Sequence, residues 1–124
     1  MSIEDEYVEP VRVEQEHRDD AVVVRVAGQV DTSTAPVLGD GLAAAFTAAA
    51  RGGLPVVVDL TAVDFLASVG LSLLVQHHQI GERQGTPLRV VAPARNPLRA
   101  LRATMLDEVL QLYASVPEAL AATS

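Results

Sequence analysis

A chain of 124 residues with no cysteine is long enough to bury a core as one domain, and it has no thiol for a disulfide, a zinc site or nucleophilic catalysis. A formal net charge of -7 argues against a nucleic-acid binder, which needs basic surface to displace counterions, and 3% aromatics without tryptophan leave little for base or sugar stacking. An acidic start, with no apolar run behind it and no stretch of membrane-spanning length, predicts a soluble cytoplasmic protein without a membrane partner.

Residues 1–8 read as a flexible acidic tail ahead of a single domain over 9–124. Val11 to Glu14 alternates weakly, as an edge strand does, and the β-branched run Val22 to Ala27 predicts a buried strand closed by Gly28-Gln29-Val30-Asp31. Thr32, Ser33 and Thr34 offer caps for a helix, and Pro36 suits its first turn. Leu38, Leu42, Ala45, Phe46 and Ala49 recur at three- and four-residue spacing, a single core-facing stripe that Gly52-Gly53 ends.

Leu54 to Leu60 predicts a central strand, and the residues after it a short turn that holds Asp64. A second helix starts at Ser68, runs to about Arg83 and closes at Gln84-Gly85. Leu88 to Ala92 predicts another strand, and Asn96 and Pro97 the cap and first position of a short third helix. Val109 to Tyr113 and Val116 to Ala122 predict a last strand and a last helix. Helices alternating with strands imply crossovers, hence an α/β fold: a mixed, mainly parallel sheet of four to five strands packed with four helices.

Charge is unevenly placed. Eight of the sixteen acids fall in the first twenty residues, and all nine basic residues are arginine. Arg83, Arg89, Arg95, Arg99 and Arg102 span a stretch without an acid, either a solvated surface or a basic face for an acidic protein.

Support for catalysis is thin. Ala67-Ser68-Val69-Gly70 lacks the first glycine of the Gly-x-Ser-x-Gly nucleophile turn, and no acid-then-histidine pair follows it. The histidines are His17 and the adjacent pair His77-His78, whose side chains point about 100° apart on a helix and do not share a metal; one partly buried and one exposed is the expectation. Gly39-x-Gly41 lies inside a predicted helix, and no lysine completes a phosphate loop. No catalytic residue, metal site or cofactor is expected.

Ser68 stands apart. It is either an ordinary helix cap or a phosphorylation switch, because the start of a helix accommodates an anion. Leu71, Leu74, Val75 and His78 share the face expected on the sheet, while Val69, Leu73, Gln76 and Ile80 fall on another side. That second apolar side is either core packing or a protein-binding patch.

Phe65-Leu66-Ala67-Ser68-Val69-Gly70-Leu71, together with Val26-Ala27-Gly28-Gln29-Val30-Asp31, resembles the STAS domain of stand-alone bacterial anti-sigma factor antagonists. The likeness spans about residues 10 to 120. It puts Ser68 on the family's phosphorylated serine, with Ala67 where the family has an aspartate and Val69 where it has a second serine. The resemblance implies a partner-switching regulator. Its unphosphorylated form captures an anti-sigma factor that is also a serine kinase, releasing a sigma factor; phosphorylation ends the capture and a PP2C-type phosphatase restores it. Asp31, Asp64, Ala67, Ser68, Val69, Leu73 and Gln76 form the expected contact surface, on a monomer or weak dimer. Two other readings stay open: a small-ligand or nucleotide-binding sensory module, and a scaffold that phosphorylation does not regulate.

Overall fold

The computed structural model describes residues 11–93 and 95–122; the expected tail, 1–8, lies outside them. Among the described residues five strands form one sheet in the order β1-β2-β3-β4-β5. They are β1 (Val11–His17), β2 (Val22–Val30), β3 (Val56–Leu66), β4 (Leu88–Val91) and β5 (Gln111–Tyr113). β1 pairs antiparallel with β2 through a tight reversal in which the Arg18 N–H donates to the Ala21 carbonyl, and every later pair is parallel. The crossovers are α1 (Ala35–Ala50), α2 (Ser68–Gln84) and α3 (Arg95–Ala103), with α4 (Val116–Ala121) closing the chain. This is the expected mixed, mainly parallel architecture.

Strand alternation divides the core between the two faces. Val22, Val24 and Val26 of β2, with Val56, Val58, Leu88 and Val90, meet α1, α2 and α3 in the larger cluster. Val23, Val57 and Val91 face the other way onto Ala119 of α4. The whole predicted stripe of α1, Leu38 to Ala49, is buried. On α2 the buried set is Gly70, Leu71, Leu74, His77 and Gly81. Val75 and His78, expected on the sheet side, are only half-buried. His77 instead turns inward, its Nδ1 2.8 Å from the Leu73 carbonyl and its ring 5.3 Å from that of Phe46.

Five boundaries differ from expectation. β1 continues to His17 and β2 to Val30, through Gly28 at φ 103°. The expected turn after Leu60 is strand: β3 runs to Leu66. Asn96 lies inside α3 rather than capping it, and Pro97 is buried. The last strand shortens to Gln111–Tyr113 because a 3-10 turn occupies Leu106–Glu108.

The arginine-rich span is not one face. Arg89 is buried and donates from Nη1 to the Ala119 carbonyl at 3.0 Å, pinning α4 to β4, while Arg95, Arg99 and Arg102 are exposed on α3.

Candidate functional site

The end of β3, paired with the end of β2, delivers the chain to α2. In their last paired residues Gln29 lies beside Phe65 and Val30 beside Leu66. The Ala67 N–H then donates to the Val30 carbonyl at 2.9 Å, and the Ala67 carbonyl accepts from Gly70 (2.9 Å) and Leu71 (3.2 Å). Ala67, extended at φ -79° and ψ 169°, is therefore the residue that caps α2, and it does so with backbone alone. Ser68 is the first helical residue, so its cap role is overturned. Its side chain is exposed and makes no hydrogen bond among the described residues.

Two contacts hold that helix start in place. A Cβ on Gly70 would come within 2.5 Å of Leu66 Cδ1 and 2.8 Å of Val30 Cγ1, so glycine lets α2 sit directly on the two strand ends. From the other side, Asn96 Oδ1 accepts from the Leu66 N–H at 3.2 Å, tying α3 to the same strand. A phosphate on Ser68 would lie at the positive end of a seventeen-residue helix, beside amides without helical acceptors.

Asp31 closes the loop after β2. Its Oδ1 accepts from the Ser33 hydroxyl (2.8 Å), the Ser33 N–H (3.0 Å) and the Thr34 N–H (3.1 Å). These bonds, the Ser33 hydroxyl first, hold its carboxyl below the usual aspartate range. Thr34 is the N-cap of α1, as expected, but it caps through its backbone carbonyl, while its hydroxyl donates back to the Gln29 carbonyl and locks the loop. Asp64 is not in a turn. Gly28 pairs with Val63 and Gln29 with Phe65, which leaves Asp64 as the extra, exposed residue of a bulge in β3.

The apolar sides of α2 have separate fates. Leu73 packs towards α1, its Cδ2 3.6 Å from where a Cβ on Gly39 would lie, and joins the core with Ile80. Val69 is half-buried. The outward strip Ser68, Ser72, Val75, Gln76 and Gln79 borders a groove of about 430 Å³ whose far wall is Thr104 and Leu106, beyond the end of α3. Met105 (60% exposed), between the wall residues Thr104 and Leu106, and Phe65 (43%), three residues before Ser68, add further exposed apolar surface.

With this arrangement set, residues 12–119 match the STAS domain family. The chain belongs to that family. Anti-sigma-F factor antagonist RsfA of Mycobacterium tuberculosis is 28% identical over 108 residues, 87% of this chain and 84% of RsfA. The crystal structure of an anti-sigma factor antagonist from Mycobacterium paratuberculosis is 34% identical, covers 89% of this chain and 91% of its own, and superposes with a TM-score of 0.76. Unphosphorylated SpoIIAA of Bacillus, at 16% identity, shares the fold with a TM-score of 0.70 over 88% of this chain and 93% of its own.

Within this STAS domain, the residues expected from the sequence gather at one end of the sheet but not on one surface. Asp64, Ser68 and Gln76 are exposed, Ala67 and Val69 half-buried, Asp31 engaged in its loop and Leu73 turned to α1. Sequence reasoning missed Ser72, Val75, Gln79, Thr104 and Leu106 in the groove, and Asn96 behind it. The i, i+4 step from Ser68 to Ser72 was a readable cue; the wall from Thr104 and Leu106 needs the tertiary fold. Among the described residues no cluster of three or more histidines and acids could hold a metal, and no helix is long and apolar enough to cross a membrane.

Proposed function

We propose that this STAS protein is an anti-sigma factor antagonist. In its unphosphorylated form it captures an anti-sigma factor that is also a serine kinase, and a sigma factor is released. Phosphorylation of Ser68 ends the capture, and a PP2C-type phosphatase reverses it. The observation that carries this reading is the exposed Ser68 hydroxyl, engaged by nothing among the described residues, on a helix start fixed against β2, β3 and α3. The relatives named as antagonists, one at 34% identity over most of the chain, supply the class of partner.

The contact surface in this reading is Asp64, Ala67, Ser68, Val69 and Gln76, with Asp31 and Leu73 acting beneath it by holding the loop and the helix. A phosphoserine adds about -1.5 to -2 charges. The helix end tolerates them, so the fold persists. A partner that covers Ser68 and the apolar groove would have to desolvate that charge, at a cost of several kcal/mol if it stays unpaired.

Incubation with the anti-sigma kinase and ATP, followed by peptide mass mapping, should place one phosphate on Ser68, and Ser68→Ala should abolish it. Phosphate on Ser72 instead, or on both Ser68→Ala and the wild type, would contradict the assignment. The apolar lining of the groove favours one other reading, a small-molecule sensor; a saturable rise in melting temperature with an apolar metabolite, without partner capture, would support that.

A further inference from the structure

We infer that the outer edge of β1 is a two-fold interface with a second copy of this chain, built separately from the Ser68 surface. Among the described residues no strand pairs with the free side of β1, the first strand of the sheet. An unpaired edge is a template for another strand, and charged side chains there ordinarily deter pairing. On β1 the charges alternate in sign as Arg12-Val13-Glu14, and this pattern complements itself.

In antiparallel pairing about a two-fold axis through Val13, Val13 faces Val13, and Arg12 of each copy faces Glu14 of the other. Arg12 and Glu14 are 62% and 64% exposed, and their 3.1 Å pair within the chain is a surface pair of little strength that pairs to the second copy can replace. Moving the axis one residue either way sets Arg12 against Arg12 or Glu14 against Glu14, and like charges directly opposite are destabilising. Charge thus selects a single register among the three.

The helix layer fits the same axis. α1 overhangs β1 closely, since a Cβ on Gly41 would come within 2.5 Å of Val13 Cγ1. Val37, 48% exposed on α1, borders a shallow depression of about 230 Å³ together with Val11, Arg12, Val13 and Glu14. Ala44 and Ala48 continue the Val37 and Gly41 side of the helix at i+3 and i+4 steps. A two-fold axis normal to the sheet keeps both copies of α1 on one face, where these small side chains let the helices approach. The product is a continuous ten-stranded sheet, five strands from each copy, with Arg–Glu pairs on its open face and Val37 covered on the other.

Sedimentation velocity over a concentration series tests this. The wild type should move from monomer towards twice the monomer mass as concentration rises, more weakly in high salt. Arg12→Glu and Glu14→Arg should each stay monomeric, because each sets like charges opposite one another. Mixing the two variants should restore the dimer, since one copy then presents acids at both facing positions and the other presents arginines. A wild type monomeric throughout, a dimer that survives both single variants, or variants that do not re-form a dimer on mixing would each overturn the proposal. None of these outcomes depends on Ser68.

Discussion

Asp31 illustrates how a residue at the site serves through its neighbours. Its Oδ1 gathers the Ser33 hydroxyl and two backbone amides, which stabilise the ionised carboxylate and lower its pKa. A depressed acid contributes its full stabilisation above the unfolded value, near pH 3.9 for aspartate, and loses it as pH falls through the lower folded value. Asp31→Ala should therefore melt below the wild type by a constant margin from neutral pH to about pH 5, with the gap narrowing at more acid pH. Parallel thermal melts of the two proteins between neutral and acid pH read this directly. A gap independent of pH down to the acid limit would mean that Asp31 works without its charge.

At the scale of elements, the contact that matters is α2 on the ends of β2 and β3. Gly70 sets its distance, because a methyl group there would meet Leu66 and Val30 at 2.5 and 2.8 Å. Gly70→Ala should cost about 1–3 kcal/mol in urea unfolding, as overpacking does. Gly39→Ala is the matched control: its methyl would meet Leu73 Cδ2 at an ordinary 3.6 Å, and the better helix former should raise stability by up to about 1 kcal/mol. Equal effects at the two glycines would remove the close-approach argument.

The same element explains what the sequence could and could not reveal. The stripe of α1 was legible because one face of it meets one sheet. The far end of β3 was not, because register shifts opposite β2 space its buried residues Leu60, Val63 and Leu66 three apart, and a strand without alternation looks like a turn. Ser68 was legible as the start of a helix. That Ala67 caps it, and that Asn96 from thirty residues away secures Leu66, depends on packing that no local pattern carries. The sides of α2 were separable only once α1 covered Leu73 and left Val75 to the groove.

For the molecule as a whole, the site lies beyond the carboxyl ends of parallel strands, where α/β sheets leave a crevice between their crossovers. α4 and Arg89 brace the opposite face of the sheet, and β1 lies at its edge. A charge added at Ser68 would therefore meet solvent and helix amides, and would alter a surface without unsettling the core. The most direct test is calorimetric titration of the proposed partner, an anti-sigma factor with serine kinase activity, into unphosphorylated protein, Ser68→Ala, Ser68→Glu and enzymatically phosphorylated protein, each with its melting temperature recorded. The unphosphorylated protein and Ser68→Ala should bind alike. The phosphorylated form should lose at least about a hundredfold in affinity, which equals roughly 2.8 kcal/mol, with Ser68→Glu also weakened and all four melting close together. Equal affinity of the phosphorylated and unphosphorylated forms would contradict the account.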